Sequence, residues 1–447
     1  MVHILAKLNH VRASCANTWV LRACLGVLMG ASLVGAGALF AAHESTGLKV
    51  SDSDNVGLES VIAVGPATYG VAWAGNDVSR GVYLAEGSDR HWTQSTVVLP
   101  TVGRAWNPSL VYSEGEWIVA WTQGSRRFPS NTVRSIQWRR GDSDGPQVLV
   151  PDVYGDVAPH LVSAPTGLHM VYAAATDSAR ALNAELYYIH HPPSASGWSS
   201  PQKVADLGGA SSPIDGIWRP RLATDTAGET LHVVWERTSD VSGLQYSIWH
   251  LTGTVQLSTT NVDWGTPTQL SPASQRYAMR PDVAVDEDGE AHVVWTEVIP
   301  TSQGSILPAE AQHVNHWRST AAVIQRVNAA PIKVNSTQPT WTSSAVTVGT
   351  ARLCVAWHGY APDDAFSKEE VALRCSRDGG LSWQSTANLS QSEDQLSLFP
   401  AIVMDPEGIV HASWVEEALS GVEFRPVGIY YGLHDMRSAV FLPLVVR

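Results

Sequence analysis

Beyond residue 57 the chain alternates apolar and polar residues with a period of two, in short runs cut by Gly, Pro, Asp and Ser. That spacing lines one face of an extended strand, whereas a helix needs apolar residues three and four apart. In MRPDVAVDEDGEAHVVWTE (279–297), Val283 and Val285 share one face, and Ala291, Val293 and Trp295 share another. The two runs flank Asp286-Glu287-Asp288-Gly289, a tight turn in which the first carboxylate can accept backbone N–H groups and Gly supplies a positive φ.

This two-strand unit recurs. WRPRLATDTAGETLHVVWE (218–236) and FPAIVMDPEGIVHASWVE (399–416) are strong copies, residues 106–123, 158–173 and 338–359 are weaker, and 58–75 is the faintest. The units close on Trp73, Trp121, Tyr172, Trp235, Trp295, Trp357 and Trp414, spaced 48 to 63 residues apart. All but the first open on a Pro: Pro108, Pro159, Pro220, Pro281, Pro339 and Pro400. Residues 81–100, 185–207, 244–271 and 370–390 each supply two further strand patterns between units. Four strands at this interval make a blade, since a lone hairpin cannot bury both faces but blades stacked around an axis can. The expected fold is all-β, a β-propeller of about seven four-stranded blades over 58–447, or six if 58–100 is irregular.

The start of the chain reads differently. Lys7, Arg12 and Arg22 precede a charge-free apolar run over 23–42, and Ala36-Gly37-Ala38 offers a small-residue cleavage site. Residues 1–42 are therefore expected to be a signal peptide or, left uncleaved, a membrane anchor. Residues 43–57 are expected to be a linker. The protein is then secreted or extracytoplasmic, touching a membrane only through that leader. Export permits disulfides. Cys15 and Cys24 lie in the leader, whereas Cys354 and Cys375 fall on two strand patterns flanking GYAPDDAFSKE (359–369). A hairpin centred there sets the two opposite one another, close to bonding range, and predicts a cross-strand disulfide.

Hydrophobic residues make up 44% of the chain, enough for a large core, and the net charge of −13 argues against a nucleic-acid partner. No Gly-rich phosphate loop or nucleophile elbow points to a cofactor. His232, His292 and His411 recur at one repeat position, one per blade, too far apart for one ion, and the acidic turn 286–289 reads as a hairpin rather than a calcium loop. No metal is expected.

Residues 376–383, Ser-Arg-Asp-Gly-Gly-Leu-Ser-Trp, match S-x-D-x-G-x-x-W at Ser376, Asp378, Gly380 and Trp383. In this motif the chain resembles the sialidase-like, Asp-box (BNR) repeat β-propellers. The resemblance implies that the motif joins the third and fourth strands of a blade, opposite the ligand-binding face. It also implies a possible exo-acting glycoside hydrolase that uses an arginine triad, a Tyr–Glu pair and an Asp to release a terminal, anionic sugar. The family's aromatic-Arg-Ile-Pro motif has no counterpart here, and the nearest strings are Trp218-Arg219-Pro220 and Met279-Arg280-Pro281.

On the axial face, repeat alignment places Arg219 and Arg280 at strand starts, level with Asn107, His160 and Gln338. Glu236, Glu297, Glu416 and His358 follow the closing Trp at strand ends, and Asp215 and Tyr277 sit on the loops before two of the strands. Arginines, carboxylates and a Tyr around one pocket suit an anionic sugar, because guanidinium pairs a carboxylate in a bidentate manner. The competing reading is that Arg219 and Arg280 pair with Glu236 and Glu297 to hold blades together. The sequence thus points to a propeller that binds a glycan or protein ligand axially, with glycan hydrolysis and an envelope scaffold role as alternatives.

Overall fold

The computed structural model describes residues 47–435, except 52–55, 76–80, 89–90, 94–95, 99–102, 126–131, 142–144, 194, 207–214, 240–244, 257–260, 275–276, 303–304, 322, 329–330, 333–343, 350–351, 360–367, 393–394 and 421–422. The leader with Cys15 and Cys24, and Gln338 and Pro339, lie outside the described residues.

Seven antiparallel sheets follow one another along the chain, each of at least four strands. Blades 1 to 7 open with the strands Val56–Val64, Arg104–Ser113, His160–Ala164, Gly216–Thr224, Ala278–Val285, Ser344–Gly349 and Leu396–Met404. These first strands touch their neighbours in adjacent blades, including the first against the last, and so form the inner ring. Seven blades are present, and residues 58–100 make a regular first one.

The ring is closed from the N-terminal side. Leu48–Lys49 lies within the stretch read from sequence as a linker, yet it pairs with Tyr431 and Tyr430 as the outer strand of blade 7. Val50 N–H continues the pairing to Ile429 O at 2.7 Å, and Ile429 N–H returns to Ser51 Oγ at 3.1 Å. The edge of the last blade is thereby paired, which removes an open template for aggregation.

Each closing aromatic plugs a seam. Trp121, Tyr172, Trp235, Trp295, Trp357, Trp414 and Trp73 are at most 2% exposed. Each belongs to a separate apolar cluster shared between its own blade and the one before it. Burying an aromatic of this size, about 150–250 Å² at roughly 25 cal/mol/Å², contributes about 4–6 kcal/mol per seam.

A second set of contacts recurs one residue after the opening Pro. Ser109 Oγ accepts Leu161 N–H at 2.9 Å, His160 Nδ1 accepts Leu222 N–H at 3.2 Å, and Asp282 accepts Val346 N–H at 2.9 Å. Arg221 at the same position lies 3.9 Å from Asp282 of the next blade. His160, placed by the sequence near the pocket, is thus a seam residue.

The turns form as the repeat predicts. Gly228, Gly289 and Gly408 have φ of 74°, 79° and 81°, and each donates to the carbonyl of the turn's opening Asp. Below them, two of the recurring histidines bridge turn to strand, while His232 meets His250 at 3.1 Å. His292 Nε2 meets Asp286 at 3.2 Å and its Nδ1 meets His316 at 3.0 Å, while His411 meets Asp405 at 3.2 Å and Tyr431 OH at 2.7 Å. Asp286, Glu290 and His292 form one group of metal-type donors among the described residues. Their oxygens already take backbone N–H groups, Thr320 and Arg318, so the group reads as a braced turn.

The turn at 376–383 is likewise held internally. Asp378 accepts the Ser382 hydroxyl at 2.5 Å, the Ser382 N–H at 2.8 Å and the Ser376 hydroxyl at 2.7 Å, and these bonds hold its carboxyl low, at about 2. Trp383 is half-buried and meets His316 of blade 5 edge-on at 5.6 Å. Cys354 and Cys375 stand directly opposite in the register of blade 6 and are joined by a disulfide, with Cα atoms 4.1 Å apart.

Candidate functional site

Four residues stand at one level of the inner ring in a backbone conformation that only a few per cent of non-glycine residues adopt. Asn107, Arg219, Arg280 and Phe399, each directly before its Pro, have φ of 52°, 47°, 55° and 54°. In every case strand pairing slips there, between Trp106 and Ser109, Trp218 and Arg221, Met279 and Asp282, and Leu398 and Ala401. Each is a bulge that re-aims one side chain, a device common at functional sites. The side chains converge across blades that are not neighbours, since the Arg280 guanidinium of blade 5 lies 5.2 Å from the Phe399 ring of blade 7. This marks the axis.

The residue directly after the closing Trp holds two of these bulges. Glu236 accepts the Arg280 N–H at 3.0 Å, and His358 Nδ1 accepts the Phe399 N–H at 3.2 Å. Glu236 also receives Arg219 Nη1 on both oxygens at 3.3 Å. His358 stands edge-on to the Phe399 ring at 5.0 Å. One connected set therefore runs from Arg219 through Glu236, Arg280 and Phe399 to His358, across blades 4 to 7.

The four strand-end candidates divide by strand parity. Glu236 and His358 follow the Trp by one residue and face the next blade, whereas Glu297 and Glu416 follow by two and face the other way. Glu297 lies 3.7 Å from Arg326 and accepts from Asn315 at 3.5 Å, so Glu297 makes its ion pair with Arg326 rather than in the expected pairing with Arg280. Glu416 is enclosed between blades 6 and 7. Tyr277 is buried at 4% exposure, packed on Met279 and Val298, and Asp215 is buried with its carbonyl accepting from Asn183.

Exposure then separates roles. Glu236, Glu416 and His358 are 1%, 2% and 0% exposed, whereas the Arg219 side chain is 33% exposed and Arg280 is half-buried. Buried Glu236 and His358 hold two bulges from behind, the Arg219, Arg280 and Phe399 side chains are partly exposed, and Asn107 donates its amide to the Val157 carbonyl at 2.7 Å. Tyr246, half-buried against Tyr277, has its phenol pushed up by burial and by Glu236, against the opposing pull of Arg219. Nothing in the sequence singles out Tyr246. Phe399 could have been found, since it fills the slot before Pro that Arg219 and Arg280 fill. A separate groove of about 360 Å³ between blades 3 and 4, lined by Asp206, Trp235, Arg237 and Trp249 among others, contains none of the candidates.

No protein-family profile and no curated protein sequence matches the chain. Solved structures do match in fold. A PL25 ulvan lyase bound to -[GlcA(1-4)Rha3S]- aligns with a TM-score of 0.59 at 10% identity, covering 88% of this chain and 98% of its own. The polysaccharide lyase Uly1 aligns at 0.51 and 9% identity, covering 84% and 90%. A Trypanosoma rangeli sialidase aligns at 0.40 and 11% identity, covering 69% and 58%. At these identities the two lyases establish a shared propeller architecture and nothing finer.

Proposed function

We propose that this chain is an extracytoplasmic propeller that binds an acidic glycan on its axial face. One observation carries the reading: two arginines, Arg219 and Arg280, sit on matching left-handed bulges in adjacent blades and reach solvent beside the axis. Guanidinium groups placed this way suit carboxylate or sulfate groups, which accept paired N–H donors. Phe399 and Tyr246 add ring surface for the apolar face of a sugar. The lyase likeness supports a saccharide over other anions, since one such lyase is bound to an acidic saccharide containing GlcA. The leader pattern and the disulfide support an oxidising, extracytoplasmic location. Binding is favoured over hydrolysis because Glu236 and Glu416, two of the strand-end carboxylates, are buried and committed to structural bonds.

The test is a glycan array of acidic and neutral polysaccharides, read with thermal melts. The wild type is expected to retain acidic glycans in a salt-sensitive manner. Arg280→Ala and Arg219→Ala together should weaken that retention at least tenfold while the melt shifts little. Retention unchanged in the double variant, or no retention of any acidic glycan by the wild type, defeats the reading. Release of a terminal sugar would favour the hydrolase alternative, and a stable protein partner with no glycan would favour the scaffold.

A further inference from the structure

A polar seam joins blades 6 and 7 at the strand ends that face the axis. Glu416 Oε1 lies 2.9 Å from Ser397 Oγ and accepts Trp414 Nε1–H at 2.6 Å. Ser397 Oγ is 3.1 Å from Ser392 Oγ, which is 2.9 Å from the Gln395 carbonyl and 3.2 Å from Glu370. Glu370 also takes the Ser390 hydroxyl and the Ser392 N–H. Glu416 Oε2 is buried and has no hydrogen-bond partner.

Counting protons shows what this arrangement needs. Each serine hydroxyl carries one hydrogen. If Glu416 is ionised, Ser397 must donate to it, and the single Ser392 hydrogen has to serve the Gln395 carbonyl, Ser397 or Glu370. Two of those three contacts then hold no hydrogen, and a charged oxygen lies buried without a donor. If Glu416 is protonated on Oε1, each link of the path from Glu416 to Ser397, Ser392 and the Gln395 carbonyl has one hydrogen, and only the 3.2 Å contact of Ser392 to Glu370 is left without one. The orphaned Oε2 is then an uncharged carbonyl oxygen, which is far less costly to bury.

We infer that Glu416 is a neutral carboxylic acid whose proton heads a hydrogen-bond chain clasping blade 7 to blade 6, so that losing this proton loosens the seam. The charged and titratable groups around it are Lys368, Glu369 and Glu370 of blade 6 and Glu417 of blade 7; Lys368 lies 3.7 Å from Glu370. Burial, the leading cause, together with the Glu370 charge, pushes the Glu416 carboxyl up to about 7, while Trp414, Ser397 and Lys368 oppose it. Burial and Glu369 push Glu417 up to about 7 as well. The inference does not depend on any ligand.

A raised folded-state pKa stabilises fully below the unfolded value of about 4.5, and that stabilisation is lost as pH rises towards 7. The test compares the wild type with Glu416→Gln, which cannot ionise at any pH in this range. The wild-type folding constant divided by that of the variant is expected to fall tenfold per pH unit between about 5 and 7. Infrared spectra should show a protonated-carboxyl band that titrates in this range and is missing from Glu416→Gln, while Glu417→Gln retains it. A ratio that stays flat or rises with pH, or a band unaltered in Glu416→Gln, overturns the inference.

Discussion

Glu236→Ala separates a seam residue from a ligand residue, and its cost can be worked from the contacts. The carboxylate is 1% exposed and accepts the Arg280 N–H across the seam between blades 4 and 5. Removing a charged acceptor from a buried donor costs about 1.5–3 kcal/mol. The ion pair to Arg219 adds less than about 1 kcal/mol, because that side chain is one-third exposed and water takes over its solvation. The sum is about 3 kcal/mol. At about 2.1 cal/mol/K per residue, the described span of roughly 390 residues unfolds with an entropy near 0.8 kcal/mol/K, so the melt should drop by about 4 °C. Glu236→Gln keeps an acceptor for the Arg280 N–H and should lose only about 1 °C. Arg219→Ala alone should also change little, and the Arg219→Ala, Glu236→Ala double variant should melt like Glu236→Ala. Calorimetry at pH 7 reads all four. Glu236→Ala melting within a degree of wild type would show that the bulge does not depend on this bond, and an equal loss in Glu236→Gln would show that charge rather than the acceptor matters.

Three further outcomes follow from the same structure. Trp383→Ala should cost about 2–3 kcal/mol, below the roughly 3–5 kcal/mol of a fully buried aromatic because Trp383 is half-buried, and should leave glycan retention unchanged; loss of retention in a stable variant would make the 376–383 turn functional. Cys354→Ser with Cys375→Ser should destabilise by about 3 kcal/mol, the loop-closure value for a separation of 21 residues, as read by denaturant midpoint, and an unchanged midpoint would contradict it. Acid should unfold the protein steeply: burial lowers His160, His169 and His316 to about 3 and His250 and His313 to about 4. Their stabilisation is full above the unfolded value near 6.5 and is lost as pH falls below it, while Glu416 and Glu417 act in the opposite sense between 4.5 and 7. The lowered histidines outnumber the two glutamates, so the balance in that window is a loss of stability as pH falls, and a melt that rises from pH 6.5 to pH 5 would refute it.

Local rules reach far in this chain because a propeller repeats one local solution. The period of two, the Asp-x-x-Gly turns and the closing Trp were legible residue by residue, and the opposed cysteines followed from hairpin symmetry alone. Ring closure was not legible: Leu48–Lys49 carries no strand signal of its own, and only Tyr430 and Tyr431, some 380 residues away, make it a strand. The level of a site residue could be read by aligning repeats, but its facing could not. Glu236 and Glu416 look alike after their tryptophans, yet one residue of offset turns one towards the next blade and the other into the seam behind. The bulges before Pro decide the rest, since the two at Arg280 and Phe399 have their N–H groups captured by the preceding blade, and that capture exists only once the blades are stacked. The sequence by itself determined the repeating blade and its turns; the stacking of blades decided which arginines face the axis and which carboxylates are spent holding them there, because those choices rest on bonds between segments far apart in the chain.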